Sequence, residues 1–235
     1  MSVNKPSSLA DFVSGALLLV NKPKNWTSFD VVNKLRYALT RKVGKIKVGH
    51  AGTLDPLATG LLIICTGKMT KELDSFQAEA KEYTGTFKIG AVTATYDAET
   101  EELDVKDITT ISESDIIGAA KLFEGQIEQY PPAYSAIKIN GKKAYDMARS
   151  NQKVEMPSRC VAISLFEITA VNLPEVTFKI QCSKGTYIRS LAHDLGQKIG
   201  VGAYLTSLVR TKSGNHKLAD AFELNDLLSY IENME

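Results

Sequence analysis

A single carboxylate sits in "GHAGTLDPLATG", residues 49–60, with Leu54 before it, Pro56 after it and no second acid in the segment. Aspartate has a reference pKa of about 3.9, so a solvated one is charged at pH 7. An isolated carboxylate such as Asp55 has three chemical uses: metal ligand, half of an acid–base pair, or nucleophile. Metal ligation needs more donors than the neighbouring His50, and His50, His193 and His216 lack the Cys/His spacing of a zinc site. Glycosidase-type chemistry needs a second carboxylate at a fixed separation, which would have to come from elsewhere in the chain. A nucleophile needs a cation to hold it and a pocket for its substrate. A plain Asp-Pro turn is the chemically idle alternative. The segment alone leaves these uses open.

The elements around it are easier to read. "KIKVGH" predicts a strand entering the segment and "GLLIICTG" a buried strand leaving it, so Asp55 belongs to a strand–loop–strand unit. Gly49, Gly52 and Gly60 supply backbone conformations that other residues avoid. Upstream, "GALLLV" (15–20) reads as a buried strand that exits through the turn "NKPKN". The stretch 27–41 predicts a helix capped by Thr27 or Ser28, with Phe29, Val32, Leu35, Ala38 and Leu39 inward and the basic residues on the other face. Downstream, "KEYTGTFKIG", "VAISLFEITAV", "EVTFKIQCS" and "AYLTSLVRTKSG" predict strands, the middle two joined at Leu173-Pro174. "SESDIIGAAKLF", "YIRSLAHDLGQKIG" with Gly200 as C-cap, and "LNDLLSYIENM" predict helices, and Asn140-Gly141 a tight turn before another. Strands and helices mixed without a βαβ rhythm predict an α+β fold on a large, mixed, mostly antiparallel sheet flanked by helices and loops.

Composition sets the outer bounds. The 235 residues, 44% hydrophobic and 23% charged, suit a globular protein with a real core. No apolar run approaches the roughly 18 residues that span a bilayer, which argues against a membrane protein. Cys65, Cys160 and Cys182 are far apart, which suits a reducing, cytoplasmic setting. The net charge of +1 conceals segregation. Lys22, Lys24, Lys34, Arg36, Arg41, Lys42, Lys45 and Lys47 face the lone Asp30. A second basic stretch spans 138–159, and acids collect over 97–107 and at the end of the chain. Such blocks suit one polyanion-facing side.

Six ordered segments together resemble the pseudouridine synthases, specifically the bacterial TruB branch of tRNA pseudouridine-55 synthases. "GHAGTLDPLATGLL" resembles the family's catalytic motif and "LLLVNKPKNWTSFDVV" its amino-terminal Lys-Pro motif. "KEYTGTFKIG" resembles the Tyr-bearing strand, "YPPAYSAIKINGKKAYDMAR" the Pro-Pro-x-Tyr-Ser-Ala segment, "CSKGTYIRSLAHDLG" the Arg-bearing motif and "GAYLTSLVRTKSG" the strand after it. The resemblance implies the pseudouridine synthase fold and a uridine-to-pseudouridine isomerase acting at position 55 in the tRNA T-loop, without metal or cofactor. It implies Asp55 as the nucleophile on a flipped-out uridine and Arg189 as the cation that aims it. It also implies Tyr83 as a catalytic residue against the target base, placed to move a proton, Tyr187 and Leu208 lining the uracil pocket, and His50 and Lys22 binding substrate. The expected partner is the T-arm stem-loop of tRNA, with no membrane and no obligate protein partner, and the chain is expected to be a monomer. Helix 27–41 and segment 138–159 are the candidates for gripping that RNA. One catalytic domain over 1–235 is expected, with a thumb-like RNA-binding insertion around 124–152 and no carboxy-terminal PUA-type domain. Two other readings stand beside this one: a guide-RNA-dependent relative, and a mainly tRNA-binding or tRNA-folding module. Extruding the base costs a few kcal/mol, which stacking at roughly 1–3 kcal/mol per base and phosphate contacts offset.

Overall fold

The computed structural model describes residues 6–135, 137–139, 141–150 and 156–234. The chain divides into two compact units, Met1–Tyr83 with Leu208–Glu235, and Thr84–Ser207. The first unit opens with α1 (Leu9–Ser14), β1 (Leu17–Lys22), α2 (Ser28–Val43), β2 (Val48–Ala51), β3 (Thr59–Thr66), a 3-10 turn and α3 (Leu73–Ala78), then enters β4 (Lys81–Ile89). The second unit continues β4 and adds the short pair β5 (Val92–Thr93) and β6 (Glu102–Leu103), α4 (Glu113–Lys121) and β7 (Gly125–Gln129). Then come β8 (Lys138–Ile139), β9 (Lys142–Lys143), α5 (Ala144–Arg149), β10 (Arg159–Asn172), β11 (Glu175–Cys182), α6 (Ile188–Ile199) and the start of β12 (Ala203–Ser213). The chain returns to the first unit for β13 (His216–Lys217), β14 (Phe222–Glu223) and α7 (Leu224–Glu232).

Ten strands share one sheet in the order β14-β1-β3-β12-β4-β11-β10-β7, with β2 on β3 and β13 on β12. The pairs β1/β3, β2/β3, β10/β11, β10/β7 and β12/β13 are antiparallel, whereas β1/β14 and β12/β3 are parallel. This is the α+β, mostly antiparallel architecture that the patterns predict.

In the first unit both faces of β1 and β3 are covered, which explains their unbroken apolar runs. Leu18, Val20, Leu62 and Ile64 pack with Val31, Val32, Leu35 and Leu39 of α2 and with Leu224, Leu227 and Ile231 of α7. Leu19, Leu61 and Ile63 point the other way, toward Leu73 and Phe76. Leu35 and Leu39 are fully buried, and each such leucine contributes about 1.5–3 kcal/mol of transfer free energy. Thr27 caps α2 by accepting the Asp30 N–H at 3.0 Å while the Asp30 carboxylate accepts the Thr27 N–H at 2.8 Å. One inward assignment fails: Phe29 is 58% exposed. It sits in the first turn, where the outer side of the helix turns away from the sheet.

In the second unit Phe87 and Phe178 stack at 4.0 Å between β4 and β11, and Ile116 of α4 joins Ile89, Val176 and Ala203 in a small core. Leu173 and Pro174 form the two-residue turn between β10 and β11, as expected. The predicted Asn140-Gly141 turn and the 124–152 insertion fall partly outside the described residues, Asn140 among them.

Candidate functional site

Asp55 lies on the loop between β2 and β3, and the first unit holds that loop through its main chain. The Ser28 hydroxyl, buried at the start of α2, accepts the Leu54 N–H at 2.9 Å and donates to the Leu54 carbonyl at 3.2 Å. The Asn25 N–H donates to the Pro56 carbonyl at 2.8 Å, and the Ala58 N–H to the Asp55 carbonyl at 3.1 Å. Lys22, 0% exposed at the end of β1, donates to the carbonyls of Trp26 at 2.6 Å, Pro23 at 2.9 Å and Pro56 at 3.4 Å. Burial pushes its ammonium down to about 8; the Asp55 carboxylate opposes that shift and the Arg210 guanidinium adds to it.

Arg210 is a residue that motif reading did not nominate. It is 1% exposed on β12, and it donates from Nε to the Leu61 carbonyl at 2.7 Å and from Nη2 to the Gly52 carbonyl at 3.0 Å. Those two carbonyls lie on either side of the Asp55 loop, so one guanidinium ties its ends together. The main chain crowds here: a Cβ at Gly60 (φ +102) would come within 2.5 Å of the Arg210 carbonyl oxygen. Gly52 also adopts positive φ, but Gly49 does not; its missing Cβ leaves room for Leu73 instead. His50 on β2 approaches Thr53 Oγ1 with Nε2 at 3.3 Å. Burial, then the Arg210 charge, push the His50 imidazole below its usual value, which favours the neutral ring. Tyr83 on β4 and Leu208 on β12 are buried in this same unit.

The second unit contains Tyr187 and Arg189, at the entry to α6. Gln129, fully buried at the end of β7, grips Tyr187 from both sides: its Oε1 accepts the Tyr187 N–H at 2.8 Å and its Nε2 donates to the Tyr187 carbonyl at 3.0 Å. The Arg159 guanidinium lies 5.2 Å from the centroid of the Tyr187 ring. Arg189, 6% exposed, donates to the carbonyls of Thr95 and Tyr134, each at 3.1 Å. Its Nη1 also faces Asp97 Oδ2 at 3.4 Å. Asp97 is 1% exposed and is itself fixed, accepting from Thr95 Oγ1 at 2.5 Å and the Glu99 N–H at 3.0 Å. One turn along α6, His193 stacks on Tyr96 at 3.9 Å.

Asp97 was hidden by its company. In sequence it opens the acidic run 97–107, which reads as a solvated block, yet it is buried and paired. Among the described residues no cluster of three or more His, Cys, Asp or Glu could hold a metal ion, and no helix is long and apolar enough to cross a membrane.

A family model described as TruB family pseudouridylate synthase, N-terminal domain, matches residues 40–188. The chain belongs to the TruB family. A second TruB model, described as tRNA pseudouridylate synthase B C-terminal domain, matches residues 189–235. Curated TruB relatives include the tRNA pseudouridine synthase B of Flavobacterium johnsoniae, 51% identical over 91% of this chain and 95% of that one. Another, from Phocaeicola vulgatus, is 46% identical over 96% of this chain and 97% of that one. Among solved structures, a chain of a Cbf5–Nop10–Gar1 complex aligns with a TM-score of 0.72 at 29% identity over 94% of this TruB chain. An H/ACA RNP bound to a substrate RNA containing 2′-deoxyuridine aligns at 0.68 and 27% identity. The TruB chain spans 55% and 56% of those two structures' chains.

Proposed function

We propose that this chain isomerises uridine to pseudouridine in tRNA, at position 55 of the T-loop, with Asp55 as the nucleophile on a flipped-out uridine. Near-full-length relatives named tRNA pseudouridine synthase B support the tRNA isomerase activity. The observation that carries the residue assignment is the loop itself. Its main chain is pinned at Leu54 and Pro56 and tied at both ends by Arg210, so the carboxylate between the pins is presented on a fixed backbone. In the reaction the C1′–N1 bond breaks, the uracil turns, a C1′–C5 bond forms, the C5 proton is lost and N1 takes up a proton, so substrate and product are isomers. Asp55 acts by adding to C6, adding to C1′ or assisting a glycal route. Arg189 holds the carboxylate charged and aimed, for which a guanidinium's fixed fork is suited. Tyr83, Tyr187 and Leu208 enclose the base, His50 serves the RNA side of the site, and Lys22, buried on three carbonyls, serves substrate binding by holding the Asp55 loop. The partner is the T-arm stem-loop, and the chain works as a cytoplasmic monomer without metal, cofactor or protein partner. Residues 1–235 act as one catalytic domain, with a thumb-like RNA-binding insertion around 124–152.

The test is direct. Unmodified tRNA is incubated with wild type and with Asp55→Ala in chelator-containing buffer, and pseudouridine is mapped along the RNA. We expect modification at the T-loop uridine with wild type, background signal with Asp55→Ala, and tRNA affinity retained within about threefold, since a single carboxylate is no phosphate ligand. The likeness to the Cbf5-type chain keeps a guide-dependent reading in view. Modification of a bare T-arm stem-loop by the purified chain decides against it; modification only with added guide RNA decides for it.

A further inference from the structure

The inward face of α2 serves the core, whereas its outward face carries side chains of another kind. Phe29 is 58% exposed and Tyr37 65%. A cavity of about 460 Å³ is lined by Tyr37 and the half-buried Trp26, together with Asn25, Asp30, Asn33 and Lys34. The Arg36 guanidinium lies 6.0 Å from the Phe29 ring centroid and Arg41 5.9 Å from that of Tyr37, at the outer reach of cation–π attraction. Lys24, Lys42, Lys45 and Lys47 are all exposed on the same segment. Asp30, the lone acid among them, is committed to the helix cap, where it accepts from the Thr27 N–H at 2.8 Å and hydroxyl at 2.6 Å.

Exposed aromatic rings set in a cationic surface, with amides at hand, are the chemistry that holds single-stranded nucleic acid. Bases stack on the rings regardless of sequence, and phosphates meet the lysines and arginines. An apolar protein partner would not need that charge, and an acidic one would not need the open cavity between the rings. The position is also telling. Asn25 lines the cavity, and its N–H holds the carbonyl of Pro56, the residue after Asp55.

The geometry points to a second nucleotide subsite on α2: an unpaired nucleotide of the RNA substrate seats its base against Tyr37 and Trp26, with Lys34 at its phosphate. This rests on the RNA-modifying function proposed above. The subsite holds RNA without touching the reacting atoms, so it governs affinity and leaves the chemical step alone.

Tyr37→Ala and Lys34→Ala are the informative variants, because both side chains are exposed, whereas Trp26 packs on the core. Binding of unmodified tRNA and of oligouridylate of about 12 nucleotides is measured across salt, beside single-turnover modification at saturating enzyme. Tyr37→Ala should weaken both RNAs about tenfold, while Tyr37→Phe, which keeps the ring, stays within about twofold. Lys34→Ala should flatten the salt slope by about 0.7. The saturating rate should not change in any of them. If wild type modifies tRNA and the two alanine variants bind both RNAs as wild type does, the subsite is overturned and the proposed function stands. If wild type leaves tRNA unmodified but binds oligouridylate through Tyr37, the function falls and the subsite stands. A drop in the saturating rate with affinity intact overturns the subsite as well.

Discussion

The two units each bury an arginine, and they satisfy it differently. Arg210 in the first unit gives Nε and Nη2 to the main-chain carbonyls of Leu61 and Gly52. Arg189 in the second gives two donors to the carbonyls of Thr95 and Tyr134 and also faces the buried Asp97 carboxylate. Carbonyl oxygens share a charge without titrating, so Arg210 fixes a backbone and radiates its field onto Lys22 and His50. A carboxylate partner instead makes Arg189 half of a pair whose loss strands the other half. The first arrangement is a brace, the second a poised ion.

The largest effect should follow from Arg189→Met. Removing one partner of a buried pair strands Asp97, at a cost of about 3–5 kcal/mol, read by urea unfolding. Because Asp97→Asn in the same chain removes the stranded charge, the double variant should recover more than half of that loss while pseudouridine formation stays at background. Additive losses in the double variant would remove the distinction between the two arginines.

Arg210→Met should cost less, about 2–3 kcal/mol, since two carbonyls lose charge-assisted donors but no opposite charge is left behind. Its signature is kinetic: the saturating modification rate drops with tRNA affinity intact, and Arg210→Lys restores part of it. Full activity in Arg210→Met would show that the loop keeps its shape without the brace.

The effect with the narrowest range, confined to alkaline solution, is a pH dependence. Lys22 has a folded-state value of about 8 against an ordinary 10.5, so between those pH values the unfolded chain binds more protons than the folded one. Stability contributed at this position therefore rises with pH across that window, and the penalty for burying the ammonium is fully present below about pH 8. Urea unfolding of wild type and Lys22→Met at several pH values from 7 to 10.5 should show the gap shifting in favour of wild type as pH rises. A constant gap would mean that Lys22 does not titrate there.

Sequence patterning revealed the elements whose burial is periodic. The apolar runs of β1 and β3, the capped helix α2 and the Asp55 loop between strands are all where the residues predict them. The edge strand β7, "GQIEQ", was not readable, because it is mostly exposed and owes its form to pairing with Arg159–Ile163 of β10. Phe29 misled in the other direction, since helical spacing cannot say where the first turn leaves the sheet. Asp55, Tyr83 and Arg189 stand out through motifs, whereas the buried Asp97 and Arg210 do not. Charge counting assigns an acidic run to solvent, and nothing local marks an arginine in a strand as buried.

The Ser28 hydroxyl has a mechanical consequence. By holding both polar groups of Leu54 it rivets the first turn of α2 to the chain just ahead of Asp55, so the start of the helix sets the position of the loop. Serine at this position is a fastener, and alanine there would free the Leu54 peptide while leaving the outer face of the helix as it is.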